Sequence, residues 1–212
     1  MYQQHPSTEL NSLFRHRPFQ GADPVDARFL FVGLDANYDE DLNLSPSYRS
    51  VLDYHADGVA FWGCHGVHHP FLLPTYRGDG RRYHLNFARI GFTPHDADQV
   101  SFLELLHLPT VGRNKLEPKD LDPQHLARIN SLITAGAARH VFLSAGVVRL
   151  MLATKRFGWL QPSKPSSEVL PVLYVHGNTQ VHLHLHFSNY GTFQAQLDRE
   201  AQAIARLINR DG

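Results

Sequence analysis

The chain has 212 residues, 20 Lys and Arg balanced by 20 Asp and Glu, and 15 histidines. That length suits one sizeable α/β domain with its own core, and zero formal charge leaves a nucleic-acid partner open, because a local basic patch suffices for phosphate contact. The single cysteine, Cys64, excludes an intramolecular disulfide and a cysteine-ligated iron–sulfur cluster. Met1 is followed by polar residues and no apolar run is long enough to span a bilayer, so a cytoplasmic protein without membrane association is expected.

Residues 1–27 are polar and carry Pro6, Pro18 and Pro24. They read as an N-terminal arm on the surface of a single domain at 28–212, with a short helix at Ser7–Phe14. The apolar run Phe29–Val32 marks a strand over Arg28–Leu34. It reaches Gly33 and is followed at once by Asp35, Asn37, Tyr38, Asp39, Glu40 and Asp41. Open α/β sheets bind ligands beyond the carboxyl ends of their strands, so this polar set is a candidate site. Asp35 there can activate water as a general base or stabilise a developing cation; an Asx-turn or helix N-cap is the structural alternative. Asp39, Glu40 and Asp41 resemble carboxylates that hold Mg²⁺ beside a phosphate, and equally a solvated loop.

Residues 42–82 are rich in Gly, Pro and His without a clear period, and a stretch of that length inside a compact domain is functional or hides short elements. Tyr48–Tyr54 is one candidate helix. His65, His68 and His69 flank glycines, yet a metal there needs a ligand from elsewhere. Phe61, Trp62 and Phe71 suit either an aromatic pocket wall or the core. Arg77, Arg81 and Arg82 with Gly78 and Gly80 make a small basic loop.

Tyr83–Ile90 has the pattern of an amphipathic helix stopped by Gly91, and Asp98–Leu103 that of a short strand. Asp122-Pro123 is an N-cap followed by proline at the first helical position; Leu126, Ile129, Leu132 and Ile133 keep helical spacing as far as Gly136. His140–Leu143 reads as a buried strand, Ala145–Ala153 as a helix, and 161–167 as a Ser/Pro-rich loop before a strand at Val169–Val175. Gly177-Asn178 turns the chain into a strand at Gln180–His186. The final helix, Thr192–Asn209, puts Phe193, Leu197, Ala201, Ile204 and Ile208 on one face. Strands alternating with helices argue for a central, largely parallel sheet.

In Gln180–His186 the imidazoles of His182, His184 and His186 share one face of the strand. Zinc is the alternative to hydrogen-bonded histidines. Alternate strand residues lie about 6.6–6.8 Å apart, whereas zinc needs nitrogens about 2.0–2.1 Å from the ion, so no tightly bound zinc is expected. His186 differs from the other two because it ends the strand beside Ser188-Asn189, where a ligand fits.

Four segments together resemble the uracil-DNA glycosylase superfamily, nearest its mismatch-specific uracil/thymine branch. FVGLDAN (Phe31–Asn37) sits where that branch has a strand ending Gly-Ile-Asn-Pro-Gly. QVSFLELLHLPTVGRNKL (Gln99–Leu116) resembles its strand and Arg-Pro-Thr turn, with Pro109-Thr110 retained. HVFLSAGVVRLML (His140–Leu152) resembles its strand–Gly–helix segment, and HFSNYG (His186–Gly191) lies where the superfamily has His-Pro-Ser or Asn-Pro-Ser-Gly. Ala36 and Phe187 replace the prolines of the first and last motifs, Asn37-Tyr38 replace glycine-rich sequence, and 42–82 has no aligned counterpart. In the loop that enters DNA, Tyr190 and Phe193 are the apolar candidates.

The resemblance implies an α/β fold, a three-layer α/β/α sandwich around a four- or five-stranded, mainly parallel sheet. It implies hydrolysis of the N-glycosidic bond of uracil or a related damaged base, flipped out of single-stranded or mismatched DNA, by a monomer that uses no cofactor or metal. Asp35 would position water and stabilise the sugar cation. His186 would hydrogen-bond the base oxygen. Gly33, Asn37 and Tyr38 would line the substrate site, Tyr54 or Phe61 would stack on the base, and Ser188 and Asn189 would contact the DNA backbone. The alternatives are a non-catalytic nucleic-acid or nucleotide-binding module on the same fold, and a histidine-rich metal-dependent hydrolase.

Overall fold

The structure, a computed structural model, describes residues 2–112, 115–162 and 167–211. Residues 163–166 of the Ser/Pro-rich loop, and Arg113-Asn114 of the segment resembling the Arg-Pro-Thr turn, lie outside the described residues. The chain begins with β1 (Gln3–Gln4), α1 (Thr8–His16) and β2 (Phe19–Gly21). Ser7 starts α1 by accepting the Leu10 N–H at 3.1 Å. Next come β3 (Phe29–Gly33), β4 (Asn37–Tyr38), α2 (Tyr48–Ala56), α3 (Gly58–His65), α4 (Arg81–Ala88), β5 (Val100–Glu104) and β6 (Thr110–Val111). The rest is α5 (Pro123–Ala135), β7 (His140–Ser144), α6 (Ala145–Thr154), β8 (Val172–His176), β9 (Thr179–His184) and α7 (Gln194–Asp211).

The main sheet has six strands in the order β2-β5-β3-β7-β9-β8. The inner four, β5, β3, β7 and β9, run parallel; β2 and β8 are antiparallel edges. Six strands replace the four or five expected. The addition is β2, whose three residues lie between prolines in a polar segment, too short to display an alternation. Residues 3–21 thus add a strand to this sheet and, through β1, another to a small sheet ordered β1-β6-β4.

Successive strand residues bury opposite faces, which builds two cores. Leu30, Val32, Val141, Leu143 and Val181 pack with α5 and α6 side chains such as Ile129 and Met151. Phe29, Phe31, Phe102 and Phe142 pack with Trp62 of α3, Phe87 of α4 and Leu197 and Ile204 of α7. Helices therefore cover both faces of a mixed α/β sheet. Among the described residues no helix is long and apolar enough to cross a membrane.

From β3 the chain moves to β5 on one side, then returns to β7 and β9 on the other. Strand order reverses at β3, and the carboxyl edge beside such a reversal is where open α/β sheets leave a crevice.

Candidate active site

A cavity of about 730 Å³ occupies that edge, a volume usual for small-molecule sites. Beyond β3 and β5 the two chain segments stay paired: the N–H groups of Leu105, Leu106 and Thr110 donate to the carbonyls of Gly33, Leu34 and Ala36 at 3.0, 3.0 and 2.9 Å. Asp35 is fixed within this ladder. The Thr110 hydroxyl donates to its Oδ2 at 2.5 Å, and Thr110 Oγ1 in turn accepts from Asn37 Nδ2 at 3.1 Å. Asn37 also donates to the Gly112 carbonyl at 2.5 Å. Its amide thus orients the donor that holds Asp35, while the residue lines the cavity.

His186 stands two residues beyond β9 and lines the same cavity as Asp35. The Ser188 backbone N–H donates to its Nδ1 at 3.3 Å, and Ser188 Oγ lies 2.7 Å from the same nitrogen. Nδ1 is thereby an acceptor, so in the neutral ring Nε2 carries the hydrogen. Burial lowers the pKa of His186, and the Asp35 charge partly opposes that shift, which places the two groups within electrostatic reach. The Tyr83 ring lies 5.3 Å from the imidazole.

Gly33 pairs in register with Glu104, and a Cβ on it would lie 2.1 Å from Glu104 Oε2. The bare glycine is what leaves room for that carboxyl. Burial and then the Asp35 charge hold the Glu104 pKa well above the carboxylate range, which favours the neutral acid.

The aromatic wall includes Tyr54, Phe71, Tyr76 and Tyr83. Tyr38 lines the cavity too, with its hydroxyl 2.5 Å from His55 Nε2. Phe61 does not line it; its ring packs edge-on behind Tyr54 at 5.6 Å. Asn189 is also off the lining and braces the loop: its Nδ2 donates to the His186 carbonyl at 2.8 Å, and its own carbonyl accepts from Asn86 of α4 at 3.1 Å. Ser188 faces the cavity.

Several other histidines sit among rings. His69 and His84 stack with centroids 3.5 Å apart, and His68 Nε2 lies 3.1 Å from His84 Nδ1. Burial lowers the pKa of all three. His182 lies 3.1 Å from His140, and His184 Nδ1 donates to the Leu185 carbonyl at 2.9 Å. Among the described residues no group of three or more His, Cys, Asp or Glu is placed to hold a metal ion. Asp39 Oδ1 instead accepts the Asp41 N–H at 2.9 Å, closing an Asx-turn.

Sequence reasoning missed Gln20 and Glu104, which both line the cavity. The expected strand stopped at Leu103, one residue short of Glu104. The available signal was a lone carboxylate inside the apolar run Val100–Leu106. The lining carries Asp35, Asp39, Glu40, Asp79 and Glu104, with no Lys or Arg among the described residues. Comparison with family models, with curated proteins and with solved structures finds no match.

Proposed function

We propose that this protein is a DNA glycosylase-like hydrolase that cleaves the N-glycosidic bond of uracil or a related damaged base, on a fold of the uracil-DNA glycosylase kind. The observation that carries the reading is that Asp35 and His186 line one aromatic-walled cavity at the carboxyl edge of the parallel strands. A flipped base is read by stacking and edge hydrogen bonds, and Tyr83 offers the ring surface, Tyr54 being only 2% exposed within the wall. As the bond breaks, its electron pair moves onto the base and positive charge grows on the sugar. Asp35 stabilises that charge and orients the attacking water. The Nε2–H of His186 donates to the base oxygen that gains negative charge. None of these steps requires a metal or cofactor.

The cavity's acids suit a sugar cation and do not attract phosphate. The DNA backbone would instead follow the α4 side of the rim, where Arg82 lies 4.2 Å over the ring of Tyr190. Tyr190 is 64% exposed, and Phe193 and Leu85 are exposed as well. Such aromatic and cationic groups suit single-stranded or locally unpaired DNA, taken up by a monomer. The test is release of free base from single-stranded and mismatched uracil oligonucleotides, followed by mass spectrometry. Release that requires the folded protein supports the reading. Binding without release indicates a non-catalytic module.

A further inference from the structure

Two residues that line the cavity each carry a buried polar atom without a hydrogen-bond partner. Gln20 is 7% exposed, and its Nε2 has no hydrogen-bond partner. Glu104 Oε2 is likewise closed off from solvent and unpartnered. Both residues line the cavity. In native proteins buried polar groups are nearly always paired, so two orphans in one cavity call for an explanation.

They are neighbours by register. Gln20 of β2 pairs with Phe102 of β5, and Glu104 stands two residues further along β5. Gln20 and Glu104 therefore project from one face in the diagonal relation, about 7–8 Å apart at the backbone and within reach for long side chains. Phe102 lies between them and also lines the cavity. On its other side Glu104 faces Gly33, and its carboxyl occupies the space a side chain there would take.

We propose that Gln20 and Glu104 are the specificity pair of this site, reading a heterocycle that carries a carbonyl next to a ring N–H. Turned into the cavity, the Gln20 amide donates to the carbonyl, and the neutral Glu104 carboxyl accepts from the ring N–H through its unprotonated oxygen. An amino-substituted ring presents an amine beside a bare ring nitrogen, which sets donor against donor at Gln20. The neighbours facing Glu104 fit an uncharged ligand. Tyr38, Tyr54 and Tyr83 stay neutral because burial raises each hydroxyl's pKa. The His125 ring is turned to the Glu104 backbone carbonyl at 2.8 Å, and burial first, then the charge of Asp35, favours the neutral Glu104 carboxyl. The identity of the ring as a base in DNA rests on the function proposed above; the donor–acceptor pattern rests on the cavity.

The test is saturation-transfer NMR titration of free uracil and free cytosine against wild type, Gln20→Leu, Glu104→Leu and Glu104→Gln, each with its melting curve. Wild type is expected to bind uracil at least about tenfold tighter than cytosine, and each leucine variant to lose about tenfold for uracil with cytosine unchanged. Glu104→Gln, which keeps an acceptor oxygen, retains most of the preference. If leucine at position 20 prevents folding, Gln20→Met makes the same test at nearly unchanged volume. Failure of wild type to bind uracil, equal binding of both bases, or a preference that survives Gln20→Leu and Glu104→Leu overturns the proposal. A wild type that shows the preference yet releases no base from DNA upholds the pair and overturns the proposed activity. Base release whose selectivity neither leucine variant alters upholds the activity and overturns the pair.

Discussion

Asp35 owes its place to three short-range facts: a strand that reaches Gly33, a Thr110 hydroxyl that donates to its Oδ2, and an Asn37 amide that orients Thr110. Asp35→Asn keeps the shape and removes the charge. It is expected to lower single-turnover base release by about 10²–10³-fold, the range seen when one preorganised electrostatic group is lost, while DNA affinity by fluorescence anisotropy stays near wild type. Unchanged release would remove Asp35 from the mechanism. His186 must donate from a neutral ring. Because burial lowers its pKa, the acid limb of the pH–rate profile is expected below the ordinary imidazole value of about 6.5. A limb at or above that value would contradict the assignment. Gly33→Ala puts a methyl where the Glu104 carboxyl lies; because that flexible end can turn aside, a loss below about 1 kcal/mol in urea unfolding is expected, and a larger loss would show the carboxyl is held rigidly.

At the scale of elements, every α-helix among the described residues except α3 was legible, with or without a side-chain cap. The Asp122-Pro123 start of α5 was readable because the signal is chemical: the Asp122 side chain accepts the His125 N–H at 2.7 Å. Asp122→Ala is expected to cost about 1 kcal/mol, measured by urea unfolding; no change would show that the helix end is held by packing alone. By contrast α3, GVAFWGCH, is nearly apolar all round and shows no helical period. Its start is set by Asp57, which accepts the Ala60 N–H at 2.9 Å. The strand pattern of His182 and His184 was visible because alternation is local. Their burial against Phe142 and Phe187 was not, because β7 and the loop beyond β9 supply those rings. Gln20 was invisible for the same reason: only pairing of β2 with β5 brings it to the cavity.

For the whole molecule, the many histidines make stability depend on pH. Burial lowers the pKa of His55, His68 and His184 to about 3 and of His182 to about 4. Once unfolded, each takes up a proton below about 6.5. Their contribution is therefore fully present above that pH and is lost as pH falls toward 4 and 3. Glu104 acts in the opposite sense: its raised pKa favours the fold below the ordinary carboxylate value and is lost as pH rises through the raised one. Four histidines outweigh the two carboxyls, Glu104 and Glu200, whose pKa burial raises, so Tm is expected to drop by at least several degrees between pH 7 and pH 5; a flat profile in differential scanning calorimetry would refute this.

The central claim is that Asp35 and His186 act on one bond from one cavity. A double-mutant cycle of single-turnover uracil release, using wild type, Asp35→Asn, His186→Ala and the double variant on a single-stranded oligonucleotide, tests it most directly. Two groups acting on the same transition state are coupled, so the double variant should lose clearly less than the product of the two single losses. Strictly multiplicative losses, or no release by wild type, would contradict the account.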